Sequence, residues 1–152
     1  MSATRWARIG YSLVAWLFAI AAVVQVYLAG QGVFVTNGNF ELHRNVGYGI
    51  GILGLILLVL AFAARMPLRV IGATALLFAL MILQSVFVFM RTDQPNIAAL
   101  HPVNGFLIVL LAVWIAWRGL GYIRAPLPPE RPRPATPPPP PQAPAPVADE
   151  DA

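Results

Sequence analysis

The only two histidines of the chain stand in two copies of one pattern. Leu42-His43-Arg44-Asn45-Val46-Gly47-Tyr48 and Leu100-His101-Pro102-Val103-Asn104-Gly105-Phe106 both read Leu-His-x-x-x-Gly-aromatic, and each leads into a long apolar run. An imidazole offers a lone pair from one ring nitrogen to a metal while the other nitrogen holds a hydrogen bond. Two such rings facing each other in apolar surroundings have the chemistry of a bis-histidine haem-iron site. A bare zinc or copper ion would want further ligands, and only Glu41 and Asp93 are near in sequence. The chain has no cysteine, which excludes disulfides, thiolate metal sites and the thioether attachment of a c-type haem. The cofactor this points to is haem b, held noncovalently.

The duplication extends beyond the histidines. Gln25 and Gln84 precede His43 and His101 by 18 and 17 residues. Each follows a Leu-Phe-Ala triplet, at 17–19 and at 77–79. Polar groups among apolar runs are expensive in a membrane and have a partner or a function. The glutamines have two readings: a second shell that accepts the ring N–H of a ligating histidine, or interhelical hydrogen bonding without any cofactor.

Gly47 and Gly51 follow His43 on the same face of a helix, and Gly105 repeats the first of these positions after His101. They read either as a flat strip against which a porphyrin can lie or as small-residue helix packing. Arg44 and Arg91 stand beside the histidine level. They read as propionate partners, since arginine binds carboxylates bidentately, or as ordinary interfacial arginines.

The elements that must position these groups follow from hydropathy. Hydrophobic residues make up 59% of the 152 and charged residues 11%, with the charges between or beyond the apolar runs. Runs of this length indicate transmembrane helices, expected at about 9–30, 40–64, 68–90 and 97–118. The first run exceeds a signal-peptide core of about 7–15 residues and has a counterpart in the third, so it reads as a retained helix. Asn39 is expected to cap the second helix, and Pro102 to hold His101 away from helical geometry. All ten basic residues are arginines. Their positions favour both termini in the cytoplasm of a multi-pass bacterial inner-membrane protein, with Arg44 and Arg91 outside. No basic patch of the kind nucleic acid requires is present.

Each copy of the repeat is a helical hairpin, and two copies close most simply into an all-α, up-and-down four-helix bundle over residues 1–124. Helices 2 and 4 are then parallel and diagonal, with His43, His101, Gln25 and Gln84 in one layer near the outer face. Residues 125–152 hold 12 of the 15 prolines and end in Asp149-Glu150-Asp151. This composition predicts a disordered or polyproline cytoplasmic tail, which also offers a docking segment for a cytoplasmic partner.

The motif Glu41-Leu42-His43-Arg44, with a second histidine opening helix 4, resembles half of the haem A synthase family, whose halves are four-helix bundles with bis-histidine haem sites. The pattern Gln…Leu-His-x-x-x-Gly…Gln…Leu-His-Pro-x-x-Gly also resembles a family of small four-helix membrane proteins of high-GC bacteria. Cytochrome b561-type proteins are a looser likeness. The histidine layer leads to the expectation of a b-type membrane cytochrome carrying one haem, exchanging electrons with a quinone or a respiratory complex, rather than an enzyme on its own. Two alternatives stand: a cofactor-free accessory or assembly subunit, and a haem-modifying enzyme that uses Glu41.

Overall fold

The computed structural model of the chain describes residues 2–126. Helix formation begins at Ser2, whose hydroxyl accepts the Arg5 backbone N–H at 3.4 Å and satisfies one of the amides that a helix start leaves without a partner. Helix α1 then runs over Ala3–Phe34, longer at both ends than the apolar run alone suggested. A 3₁₀ turn at Asn37–Asn39 leads into α2, Phe40–Ala63. Asn39 precedes α2 as expected, but its side chain makes no capping bond. Helix α3 spans Leu68–Phe89, a short α4 covers Pro95–Ala98, and α5 covers His101–Ile123.

The continuous helix expected at about 97–118 is therefore interrupted at Ala99 and Leu100. Pro102 has no N–H to donate to residue 98, so the interior of a continuous helix would be broken there, whereas the second position of a new helix accommodates it. His101 is the first residue of α5 rather than an extended residue before it.

The α2–α3 turn closes with a left-handed residue. Arg65 has φ 49°, its N–H reaches Phe62 O at 3.0 Å, and the N–H of Met66 reaches Ala61 O at 3.0 Å. This is the Schellman arrangement, with arginine where glycine is usual. Met66 is buried beneath it, and Pro67 prevents the helix from continuing.

Helix α1 packs on α2 and α5, and α3 packs on the same two. The four long helices thus close a ring in which α2 and α5 lie on one diagonal and α1 and α3 on the other. All four are long and apolar enough to cross a membrane. The core holds Phe18, Leu57, Leu77 and Ile115, while Leu13, Ile52, Val59, Phe62, Leu76, Ile82 and Leu110 point outward. An apolar exterior around a packed core is what a lipid-facing bundle requires. Trp6, Trp114 and Trp117 are exposed toward the end that holds the α1 start and the α5 finish, as an interfacial aromatic belt would be.

At that same end Arg8 is only 3% exposed. Its Nε donates to Ala64 O at 3.2 Å, and its Nη1 donates to Tyr122 O at 3.0 Å and Ala125 O at 2.7 Å. One guanidinium on α1 thereby meets carbonyls at the ends of α2 and α5, where helix dipoles concentrate negative charge. The proline-rich stretch expected to be disordered lies, from residue 127 onward, outside the described residues.

Candidate functional site

Both histidines sit at the first turns of diagonal helices, His43 in α2 and His101 in α5. Each is clamped by the glutamine of the preceding long helix. Gln25 Nε2 donates to His43 O at 2.9 Å, and His43 Nδ1 lies 3.1 Å from Gln25 O. In the second hairpin Gln84 Nε2 donates to His101 O at 3.0 Å, and His101 Nδ1 lies 3.2 Å from Gln84 O.

These bonds determine the tautomer. A backbone carbonyl only accepts, so Nδ1 must carry the proton in both rings. The lone pair is then left on Nε2, and neither Nε2 has a hydrogen-bond partner among the described residues. A ring N–H held by a carbonyl, with the other nitrogen free, is the arrangement that orients an imidazole for metal ligation. The glutamines do act on the ring N–H, but through their main-chain carbonyls. Their side-chain amides instead hold the histidine backbone, so the side-chain second shell expected from the sequence is corrected.

The two rings approach edge-on across the diagonal, with centroids 6.2 Å apart and planes inclined at 61°. An ion bonded at about 2 Å to two imidazole nitrogens on opposite sides of it keeps their ring centroids about 6 Å apart. Among the described residues no group of three or more His, Cys, Asp or Glu side chains comes together. A bare zinc ion would lack ligands in this layer, whereas haem brings its equatorial ligands with it and asks the protein only for axial ones. Phe40 borders His43 edge-on at 6.5 Å and packs over Gly32 of α1, so an aromatic wall flanks one side of the layer.

Asn104 was not singled out from the sequence, although it lies inside the second copy of the motif. It is 4% exposed, and its Nδ2 donates to Leu80 O at 2.9 Å and to Gln84 Oε1 at 2.5 Å. The corresponding residue of the first copy is Val46, which has no donor. Gln25 Oε1 is accordingly buried without a partner. The contrast between Asn104 and Val46 in otherwise matched motifs was the available signal.

The glycines divide into two kinds. A Cβ on Gly47 would stand 3.0 Å from Gln25 Nε2, and one on Gly105 would stand 3.3 Å from Gln84 Nε2. Their bare surfaces receive the clamping amides, so they do not belong to one open strip, and the flat-strip reading is corrected for both. Of the three, Gly51 has open space around it, beside a cleft of about 290 Å³ bordered by Tyr48, Leu55, Phe78 and Met81. Arg44 is exposed and pairs with Glu41 at 3.9 Å. Arg91 Nη1 donates to Val88 O at 3.3 Å.

A model of a family of unknown function (DUF6220) matches residues 25–92, from Gln25 through the end of α3. The chain is similar to that family over a stretch that contains His43, Gln25 and Gln84 but stops before His101. No curated protein and no solved structure matches the chain.

Proposed function

We propose that this chain is a b-type cytochrome-like membrane protein that holds one haem between His43 and His101. The observation that supports the reading is the pair of imidazoles whose centroids lie 6.2 Å apart across the diagonal, each with Nδ1 tied to a glutamine carbonyl. His43 and His101 would hold the haem iron, with Gln25 and Gln84 orienting the two rings. Gly51 leaves room beside α2, and Arg44, exposed at the same end of the bundle, offers a guanidinium for a propionate. The bound group would supply one-electron chemistry. Two histidine ligands leave no open position, which favours electron exchange over oxygen activation. One haem at one end of a hydrocarbon layer about 30 Å thick does not bridge it. A quinone or a respiratory complex in the same bilayer is the partner that this position suits.

The distribution of arginines supports an orientation with both chain termini in the cytoplasm of a bacterial inner membrane, which places the histidine layer outside. The two Gln–His clamps, which join α1 to α2 and α3 to α5, favour a second reading, in which the layer is interhelical glue in an accessory subunit. Likeness to haem A synthase supports a third, weaker reading as a haem-modifying enzyme, but Glu41 is exposed and paired with Arg44.

A visible spectrum of detergent-purified protein distinguishes them. The expected result is a reduced α-band of haem b, lost in both His43→Ala and His101→Ala. Haem-free protein from haem-replete cells would overturn the proposal in favour of the accessory reading, and conversion of the bound haem to a new chromophore would favour the enzyme.

A further inference from the structure

We propose that the opposite end of the bundle holds a phosphate-class anion, in a cleft between the start of α1 and the finish of α5. The cleft has a volume of about 300 Å³ and is lined by Ser2, Arg5, Arg8, Ile123, Arg124 and the Ala125-Pro126 pair. Three of these residues are arginines and none is acidic.

Arg8 makes this a built site. A guanidinium has five N–H donors in a fixed fork. Arg8 uses the one on Nε for Ala64 O and those on Nη1 for Tyr122 O and Ala125 O. Nη2 makes no hydrogen bond among the described residues, although the residue is only 3% exposed and borders the cleft. The three carbonyls hold the guanidinium in place without neutralising it, and no carboxylate pairs with it among the described residues.

Arg5 and Arg124 are exposed and flank the same space, so three positive charges converge with no anion among the described residues to offset them. A phosphate offers several acceptor oxygens, and an arginine fork suits their geometry. The first amides of α1 add partial positive charge on the same side, and the opposing carbonyl end of α5 is capped by Arg8.

The setting points to a phosphodiester at headgroup depth. Trp6 and Trp117 are exposed at this end, as residues of a membrane–water belt are. Basic pockets between membrane helices bind anionic headgroups. Free phosphate shares the same chemistry, and the test separates the two sources. The site is remote from the histidine layer and does not depend on how that layer is read.

The full chain is purified in a neutral detergent without phosphate, and its thermal midpoint is followed by tryptophan fluorescence. Dioctanoyl phosphatidylglycerol, dioctanoyl phosphatidylcholine and sodium phosphate are added separately, each at matched ionic strength. The expected result is a saturable rise with phosphatidylglycerol and none with phosphatidylcholine. In the Arg5→Gln/Arg124→Gln variant the half-saturating concentration should rise about tenfold or more, the scale of a lost charge-assisted contact. Both substituted residues are exposed, so this variant retains the fold, and Arg8→Lys then tests the buried fork. An equal rise with sodium phosphate would support the anion site and assign it to free phosphate. No rise with either anion, or the same rise in the double variant, would overturn the proposal.

Discussion

Asn104 donates to Gln84 Oε1, and this one bond breaks the symmetry of two otherwise matched half-sites. Gln84 is satisfied at both ends of its amide, whereas Gln25 keeps an unpartnered buried Oε1 because Val46 occupies the corresponding position. A buried acceptor left without a donor costs on the order of 1–3 kcal/mol. The His43 half of the layer is therefore held less firmly than the His101 half.

Exchanging the two residues should reverse that order. Val46→Asn gives Gln25 a donor and is expected to raise stability by about 1 kcal/mol, provided the added amide meets Gln25 Oε1. Asn104→Val removes donors from Gln84 Oε1 and Leu80 O and is expected to cost about 1–3 kcal/mol. Thermal midpoints of the two variants in the same detergent check this. Destabilisation by both would show that Val46 is retained for its packing instead.

Alanine at the three glycines separates clamp from open space. Gly51→Ala meets nothing within 4 Å and should gain up to about 1 kcal/mol of helix propensity. Gly47→Ala sets a methyl 3.0 Å from Gln25 Nε2 and must displace the amide that holds His43 O, so the gain is offset or reversed. Gly105→Ala, at 3.3 Å from Gln84 Nε2, should fall between them. If haem binds as proposed, Gly47→Ala weakens its retention while the clamp is distorted, which the α-band amplitude per mole of protein would report.

The duplicated spacing made the diagonal histidine pair and the matching glutamines legible in the sequence. Period and topology place residues at a level, and level is what the hydropathy runs encode. Which atoms bond was not legible, because a glutamine at the right level can present its side chain or its main chain to the ring. Arg8 was read as one more charge counted for topology. Its burial depends on carbonyls at the ends of α2 and α5, which no local pattern around Arg8 announces. The interruption before His101 was written in Pro102, but the extended geometry expected for His101 did not follow, because a proline at the second position of a helix leaves the first position helical.

Arg65 stores strain that glycine would release. A left-handed L-residue costs on the order of 1–2 kcal/mol, and the Schellman bonds around Arg65 use only main-chain atoms. Arg65→Gly should stabilise the hairpin by up to about 1 kcal/mol, less the entropy that glycine adds to the unfolded chain. Arg65→Val, branched at Cβ, should destabilise by more than that. Thermal unfolding of the two variants should diverge in sign. A Val variant as stable as the parent would show that the turn relaxes to another geometry.

The diagonal between α1 and α3 is joined by one buried hydroxyl pair whose polarity can be assigned. Tyr11 and Thr74 are both 0% exposed, with Tyr11 Oη 2.7 Å from Thr74 Oγ1. Thr74 Oγ1 gives its proton to Val70 O at 2.8 Å, so Tyr11 is the donor and Thr74 the acceptor. Removing the acceptor strands the phenol in the core, whereas removing the phenol leaves Thr74 still bonded to its own helix. Thr74→Val is therefore expected to cost about 1–3 kcal/mol and Tyr11→Phe about 1 kcal/mol. In the double variant no polar group is stranded, so its cost should fall below the sum of the single costs, and the coupling can be read from a double-mutant cycle of thermal unfolding. Equal single costs with strict additivity would show that the two hydroxyls act independently and that the diagonal is held by packing alone.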